Sequence, residues 1–197
     1  MHIAHAIIST LIIIFAVPVL GLIIKALQTS CQRIIARHFG CFVANLISIF
    51  LTFPGVVHHE LSHALYCILA GGKVTKMVLF CPESKGNGSF TLGYVNWQPR
   101  GPWLFQSIQY YMASMAPTIQ GIITLAFLRQ FIVECNSKGL KVALLYLAFS
   151  IFLHMDMSQP DVKGMAKGLP VCTVLIFVIC VIFRIDLLSM FRSLNAI

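Results

Sequence analysis

Long apolar runs separated by short polar segments make up most of this chain. A membrane-spanning helix needs about 20 predominantly apolar residues, and each run reaches or approaches that length. Five runs predict spanning helices, at about Ile3–Leu27, Cys41–Ala70, Phe105–Val133, Leu140–Met155 and Leu169–Ile185. The pattern therefore predicts an all-α, polytopic membrane protein with about five transmembrane helices.

Several positions within these runs predict where helices bend or end. The run Cys41–Ala70 is longer than a bilayer needs, so we expect tilt or a break near Pro54-Gly55. Pro18 predicts a kink in the first run, and Gly71-Gly72 predicts the end of the second helix. The first run has no positively charged segment before it, which favours a retained span over a signal peptide.

Residues 73–98 follow a different pattern, typical of β-structure. An extended run, Val74–Phe80, precedes a turn-forming segment, Ser84–Ser89, and a second β-forming run, Phe90–Trp97. This order predicts a small β-hairpin between the second and third spans, with a plain polar loop as the alternative. An exposed strand of such a hairpin can pair with an extended peptide.

Composition agrees with a membrane protein and excludes other classes. The chain has 197 residues, of which 58% are hydrophobic and 10% are charged, whereas soluble proteins carry about 25% charged residues. That length predicts one domain over residues 1–197. The net charge of +8 comes from basic residues scattered between apolar runs, which argues against a nucleic-acid partner. The seven cysteines are odd in number and include no C-x-x-C pair, which argues against a disulfide framework or cysteine zinc site.

The second run contains His59-Glu60-Leu61-Ser62-His63, which reads H-E-x-x-H. On a helix His59 and His63 lie on one face and can bind one metal ion together, with Glu60 in reach of a water on that ion. Ionisable side chains within an apolar span are costly and indicate a functional site. The alternative is a satisfied polar cluster without metal. His58 has no partner four residues on, so we expect a supporting or surface role for it.

A third metal ligand has to come from elsewhere in the chain. Catalytic zinc takes three protein ligands and leaves one position for water. The extended pattern with a further histidine fails because Tyr66 occupies its glycine position. Asp161 is the first choice, since Pro160 and Gly164 predict non-helical backbone around it at membrane depth. The alternatives are Asp156, His154, Glu83 and Glu134. The aspartates can also be read as helix caps.

Four segments in this order resemble the site-2 protease family of intramembrane zinc metalloproteases. They are His58–Leu65 with Ala70–Gly72, the hairpin ending in Gly93–Trp97, Ala116–Gly121 and Ser158–Gly164. Together they cover a core of about residues 41–170. The distal family motif commonly reads N-x-x-P with a later D-G, whereas here Pro160 directly precedes Asp161.

The resemblance implies one zinc ion (Zn2+) per chain, held by His59, His63 and Asp161, with Glu60 as the catalytic base. It also implies that a hairpin at about residues 73–98 presents the substrate as an added strand. The chain looks most similar to the short bacterial members, which implies a multi-pass protein of a bacterial cell membrane.

Motif, setting and resemblance together predict a zinc metalloendopeptidase. It would hydrolyse a peptide bond in a membrane-embedded or membrane-proximal protein, with that substrate and the lipid bilayer as its partners. The alternative is a non-proteolytic zinc-binding membrane protein, either a transporter or an inactive protease-like partner.

Overall fold

The structure is a computed structural model that describes residues 2–84 and 90–194, and it is mostly helical. In chain order the elements are α1 (His2–Leu46), a π-helical turn (Ile47–Leu51), α2 (Phe53–Leu69), β1 (Lys73–Val78), β2 (Glu83–Ser84), β3 (Phe90–Thr91), β4 (Tyr94–Gln98), α3 (Trp103–Glu134), α4 (Lys138–Leu153), α5 (Gln159–Ile182) and α6 (Leu187–Leu194).

Among the described residues, three helical segments are long and apolar enough to cross a bilayer. They are Ile3–Leu51, Trp103–Glu134 and Gln159–Ile182. Helices α2 and α4 have 17 and 16 residues. At 1.5 Å per residue they are roughly 25 Å long, which is shorter than a hydrocarbon core of about 30 Å. A membrane protein is therefore supported, but the predicted count of five spans is not confirmed.

Helix α1 differs from the prediction because it does not stop at Leu27. It continues through the polar segment that follows and reaches Leu46. Pro18 lies inside it, and the departure from helical backbone angles comes at Gly40, with φ 85°. A glycine adopts this left-handed conformation without steric cost, so the change of direction falls there.

Helix α2 begins and ends close to where the sequence predicts. Thr52, with φ −114° and ψ 13°, separates the π-helical turn from α2, and Pro54 lies in the first turn. At the other end Gly71 has φ 85° and donates to the carbonyl of Ile68, while Gly72 donates to that of Cys67. These two bonds form a Schellman cap. The predicted break and the predicted stop are both confirmed.

The start of α5 corrects the prediction for the last span. The helix begins at Gln159, well before the expected Leu169, so Pro160 and Gly164 lie inside it. The non-helical backbone is instead residues 154–158. Proline is tolerated in a first helical turn because its missing N–H has no intrahelical partner there.

The hairpin predicted between the second and third spans is present. Strand β1 pairs antiparallel with β4, with a register shift between Val74 and Lys76. Beyond it β2 pairs with β3. Residues 85–89 of the predicted turn lie outside the part of the chain that the structure describes.

Helix α3 is central to the packing. Its most extensive contact is with α5, and it also packs against α2 and α4. The approach to α5 is close because Gly168 has no side chain, and a Cβ built there would lie 2.1 Å from the carbonyl oxygen of Ser107. Small residues allow helices in membranes to approach in this way.

Outward-facing side chains include large apolar ones such as Phe42, which is 78% exposed.

Replacing Gly168 by Ala should destabilise the protein, because the new methyl group would push α5 away from the α3 backbone. We expect a loss of about 1–3 kcal/mol, the usual cost of overpacking, seen as a lower melting temperature in detergent. The matched control is Gly139→Ala in α4, where no described atom lies within 4 Å of the added Cβ. That variant should be unchanged or slightly stabilised. Equal melting temperatures of the two variants would contradict the close packing of α5 on α3 at Gly168.

Candidate metal centre

The two histidines of the motif lie on one face of α2, as their spacing predicts. Their Nε2 atoms are 3.1 Å apart. Asp161, near the start of α5, brings its Oδ1 to 3.4 Å from the Nε2 of His63. The three donor atoms lie within 4.8 Å of one another, and Asp161 is buried. This group could hold a metal ion.

Hydrogen bonds from the other ring nitrogens determine how the two histidines are protonated. His59 Nδ1 lies 2.7 Å from the carbonyl oxygen of His154, and His63 Nδ1 lies 2.8 Å from that of Ala113. A carbonyl only accepts, so both Nδ1 atoms carry the proton and donate it. Each neutral ring then presents a lone pair at Nε2. Two lone pairs facing each other at this distance repel unless a cation lies between them.

The distances and the donor types fit a single metal ion. Zinc binds imidazole nitrogen and carboxylate oxygen at about 2.0–2.2 Å in tetrahedral geometry, which separates neighbouring donor atoms by roughly 3.3 Å. Two of the three separations here are 3.1 Å and 3.4 Å, and the third is within 4.8 Å. Two imidazoles and one carboxylate also leave a coordination position open, as catalytic sites do. Hydrogen bonds at each Nδ1 are the usual support of metal-binding histidines.

Asp161 caps the start of α5, one of the two roles that the sequence offered, and also faces the histidine pair. Its Oδ2 accepts from the Ser158 backbone N–H at 2.9 Å and from the Ser158 hydroxyl. The Ser158 oxygen in turn accepts from the Asp161 N–H, which completes a capping box. Because Oδ2 is held by the cap, Oδ1 is directed at His63. The cap therefore orients the carboxylate as a ligand.

Two of the alternative ligands have other partners. Asp156 is paired with Lys25, whose Nζ lies 2.7 Å from Oδ2. His154 lies 2.8 Å from the Oγ1 of Thr52 through its own Nε2. Since the Thr52 hydroxyl donates to Ser48, His154 must be the donor in this bond. His154 thus supports the site through its backbone carbonyl, which orients His59.

The remaining candidates lie away from the three-residue group. Glu83 and Glu134 are exposed. His58 lies 3.0 Å from Thr124 of α3 through its Nε2. This contact ties His58 to α3 rather than to a side chain of the three-residue group.

The carbonyl that orients His63 is available because of a proline. In an α-helix the carbonyl of Ala113 would accept from the N–H of residue 117, but Pro117 has none. The freed oxygen accepts from His63 instead. This partner was not predicted from the sequence, although a proline inside an apolar run was the available signal. The same arrangement recurs where Pro18 frees the carbonyl of Ile14, which accepts from the Tyr111 hydroxyl at 2.8 Å.

Glu60 and the metal-binding group line one cavity of about 730 Å³. Glu60 is 8% exposed, and no described residue donates a hydrogen bond to its carboxylate. Residues 91–97, which include most of β4, form another wall of the cavity. Gly93 approaches Glu60 so closely that a Cβ there would lie 2.9 Å from Cγ of the glutamate. Strand β4 pairs with β1 along one edge, and its other edge has no partner strand among the described residues.

Replacing Asp161 by Asn should weaken metal binding, because an amide is a poorer ligand than a carboxylate. We expect an affinity loss above the roughly 10- to 100-fold typical of losing an outer partner. Competition with a zinc chelator would measure it. Asp156→Asn is the matched control and should retain metal, since that carboxylate is paired with Lys25. The reverse order of affinities would show that Asp156 is the ligand.

Replacing Pro117 by Ala should weaken metal binding by about 10-fold, within the range for an outer partner. The new N–H competes with His63 for the Ala113 carbonyl, so the imidazole ring is less firmly oriented. The control is Pro170→Ala, which restores an N–H inside α5, where the carbonyl four residues back is that of Ala166. If both substitutions change zinc affinity equally, the freed carbonyl is not the cause.

Compared with known proteins, this chain matches no family model, no curated protein and no solved structure.

Proposed function

We propose that this protein is an intramembrane zinc metalloprotease, similar in mechanism to the site-2 protease family. The observation that carries the proposal is the single cavity lined by Glu60, by the group His59, His63 and Asp161, and by residues of strand β4. A hydrolase of peptides needs a metal, a base and a surface that holds an extended chain. These three elements lie together here, beside helices long and apolar enough to cross a membrane.

The residues of the chain would divide the reaction between them. A zinc ion bound by the three ligands supplies a water of lowered pKa and polarises the carbonyl group under attack. The Glu60 carboxylate takes a proton from the attacking water and later passes it to the leaving amine nitrogen. The hydroxyl remains on the carbonyl carbon, and the C–N bond breaks. The buried setting of Glu60 limits competing contact with bulk water.

The substrate would bind as an extended strand. An unpaired strand edge offers a row of N–H and C=O groups, and a peptide can add to it as a further strand. Residues of β4 line the same cavity as His59, His63 and Asp161, and one edge of this strand has no partner strand among the described residues. A peptide added there would lie beside Glu60, because the β-segment approaches that glutamate at Gly93. Peptide backbone is available only where a helix is opened, so we expect cleavage in unwound parts of membrane-embedded segments.

Replacing Glu60 by Gln should abolish cleavage while zinc stays bound, because the amide cannot take the proton. We expect turnover to fall by about 10²- to 10⁴-fold, the usual contribution of a general base. The assay uses the purified full chain in detergent with a degenerate peptide mixture, and mass spectrometry identifies the products. Elemental analysis of the same sample gives the identity and amount of the metal.

The matched control is Glu134→Gln, at an exposed glutamate that ends α3, and it should cleave normally. If the zinc-loaded wild type produces no new peptide termini, or if Glu60→Gln cleaves as well as wild type, the proposal is wrong. Zinc flux into liposomes that is unaffected by Glu60→Gln but lost on histidine substitution would instead identify a transporter.

A further inference from the structure

Two lysines of α5 line the cavity that holds the metal-binding group. Lys163 and Lys167 follow Asp161 on the same helix, and both border the cavity. Residues four apart lie on one face of a helix, so the two ammonium groups lie on the same side of α5. Neither lysine forms an ion pair within the described residues. The metal chemistry described above gives them no role.

The charges of the cavity leave these lysines uncompensated. Its other cation, Lys25, is paired with Asp156. Asp161 faces His63, and together with Glu60 it would offset the charge of a divalent ion. The positive charges that remain belong to Lys163 and Lys167. A ligand with a negative charge in this part of the cavity would neutralise one of these lysines.

Aromatic contacts hold Lys167 next to the strand that would bind a peptide. Its Nζ lies 4.6 Å from the centre of the Tyr110 ring. That ring in turn lies 5.2 Å, centre to centre, from the ring of Trp97 on β4. A cation–π contact positions the ammonium group without neutralising its charge. These contacts therefore link α5 through α3 to β4 and place an unneutralised cation near Trp97 of that strand.

Close packing of α5 on α3 gives the lysines a defined position. A Cβ at Gly164 would lie 2.3 Å from the Oγ of Ser114, and Gly168 contacts the α3 backbone as described above. The helix segment that carries both lysines therefore cannot shift without breaking these contacts. Its orientation is tied to the same helix start that directs Asp161 towards His63.

We propose that Lys163 and Lys167 select peptides that carry an acidic side chain within about three residues of the scissile bond. The spacing follows from the helix, since Lys167 is six residues beyond Asp161, or roughly 9 Å along the axis. An extended peptide advances about 3.3 Å per residue, so that length corresponds to three residues. This inference rests on the proposed function, because it concerns the peptide bound at the same site.

Binding of two matched peptides tests the inference without any cleavage. The probes are fluorescein-labelled peptides rich in valine and threonine that differ only by Glu or Gln near the centre. Zinc-loaded Glu60→Gln protein should bind the Glu peptide about 2- to 5-fold more tightly, as expected for a charged contact with exposed lysines. Lys167→Glu in the same background should abolish this preference, whereas Lys138→Glu, at the exposed start of α4, should retain it.

The outcomes separate this inference from its alternatives. A Glu preference that survives replacement of both Lys163 and Lys167 by Glu would show that another group, such as the metal, recognises the carboxylate, and would overturn the inference. Equal binding of the two peptides would also overturn it. If Lys167→Glu changed only the binding of the protein to vesicles of anionic lipid, the lysine would contact lipid and the inference would again be wrong. Lys167→Met removes the positive charge without adding a negative one, and it should also remove the preference for the Glu peptide. Unchanged zinc content in this variant would show that the protein is still folded.

The degenerate peptide mixture distinguishes failure of the inference from failure of the proposed function. Wild-type protein should release products enriched in Asp or Glu within about three residues of the cut, the distance set by helix and strand spacing. Cleavage without that enrichment would contradict the inference about the lysines but would still support the proposed protease activity. A preference for the Glu peptide in binding, combined with no cleavage of any peptide, would contradict the proposed protease activity. It would still support a site that binds acidic peptides.

Discussion

The opposed Nε2 atoms of His59 and His63 are the constraint on which the rest of the site depends. Their rings are held by carbonyl groups from two other elements, at His154 and at Ala113. Helix α2 must therefore lie between α3 and the end of α4. Gly55 permits this, because a Cβ there would lie 2.1 Å from the Ser150 carbonyl oxygen. The lone pairs placed face to face in this way are what make the position suitable for a cation.

Polar groups in this apolar protein are satisfied at points where regular helix is interrupted. Pro117 frees one carbonyl, the end of α4 supplies another, and the break at Thr52 supplies a hydroxyl for His154. Among the described residues, no fully buried side-chain nitrogen or oxygen lacks a hydrogen-bond partner. In an apolar setting an unpaired polar group is costly, so these interruptions are a condition for placing a polar site there.

Sequence patterns predicted the local features well and the long-range ones less well. The histidine pair, the stop at Gly71 and the hairpin all follow from spacing or turn chemistry over a few residues. The predicted count of five spans is not confirmed, because α2 and α4 are shorter than a hydrocarbon core and the run Cys41–Ala70 is divided among three elements. The early start of α5 was also missed, since a capping box formed by Ser158 competes with the non-helical character of Pro160.

The sequence by itself determined long apolar helices, a pair of histidines on one helix face with a glutamate between them, and a β-hairpin that follows this helix. These features arise from composition and from residues close in the chain, where helix and strand periodicity governs which side chains meet. Only the tertiary structure decided that Asp161 joins the histidines while Asp156 pairs with Lys25. Such a choice depends on how α5 packs on α3 and how its first turn is capped, and residues a hundred positions apart carry no local signal for that contact.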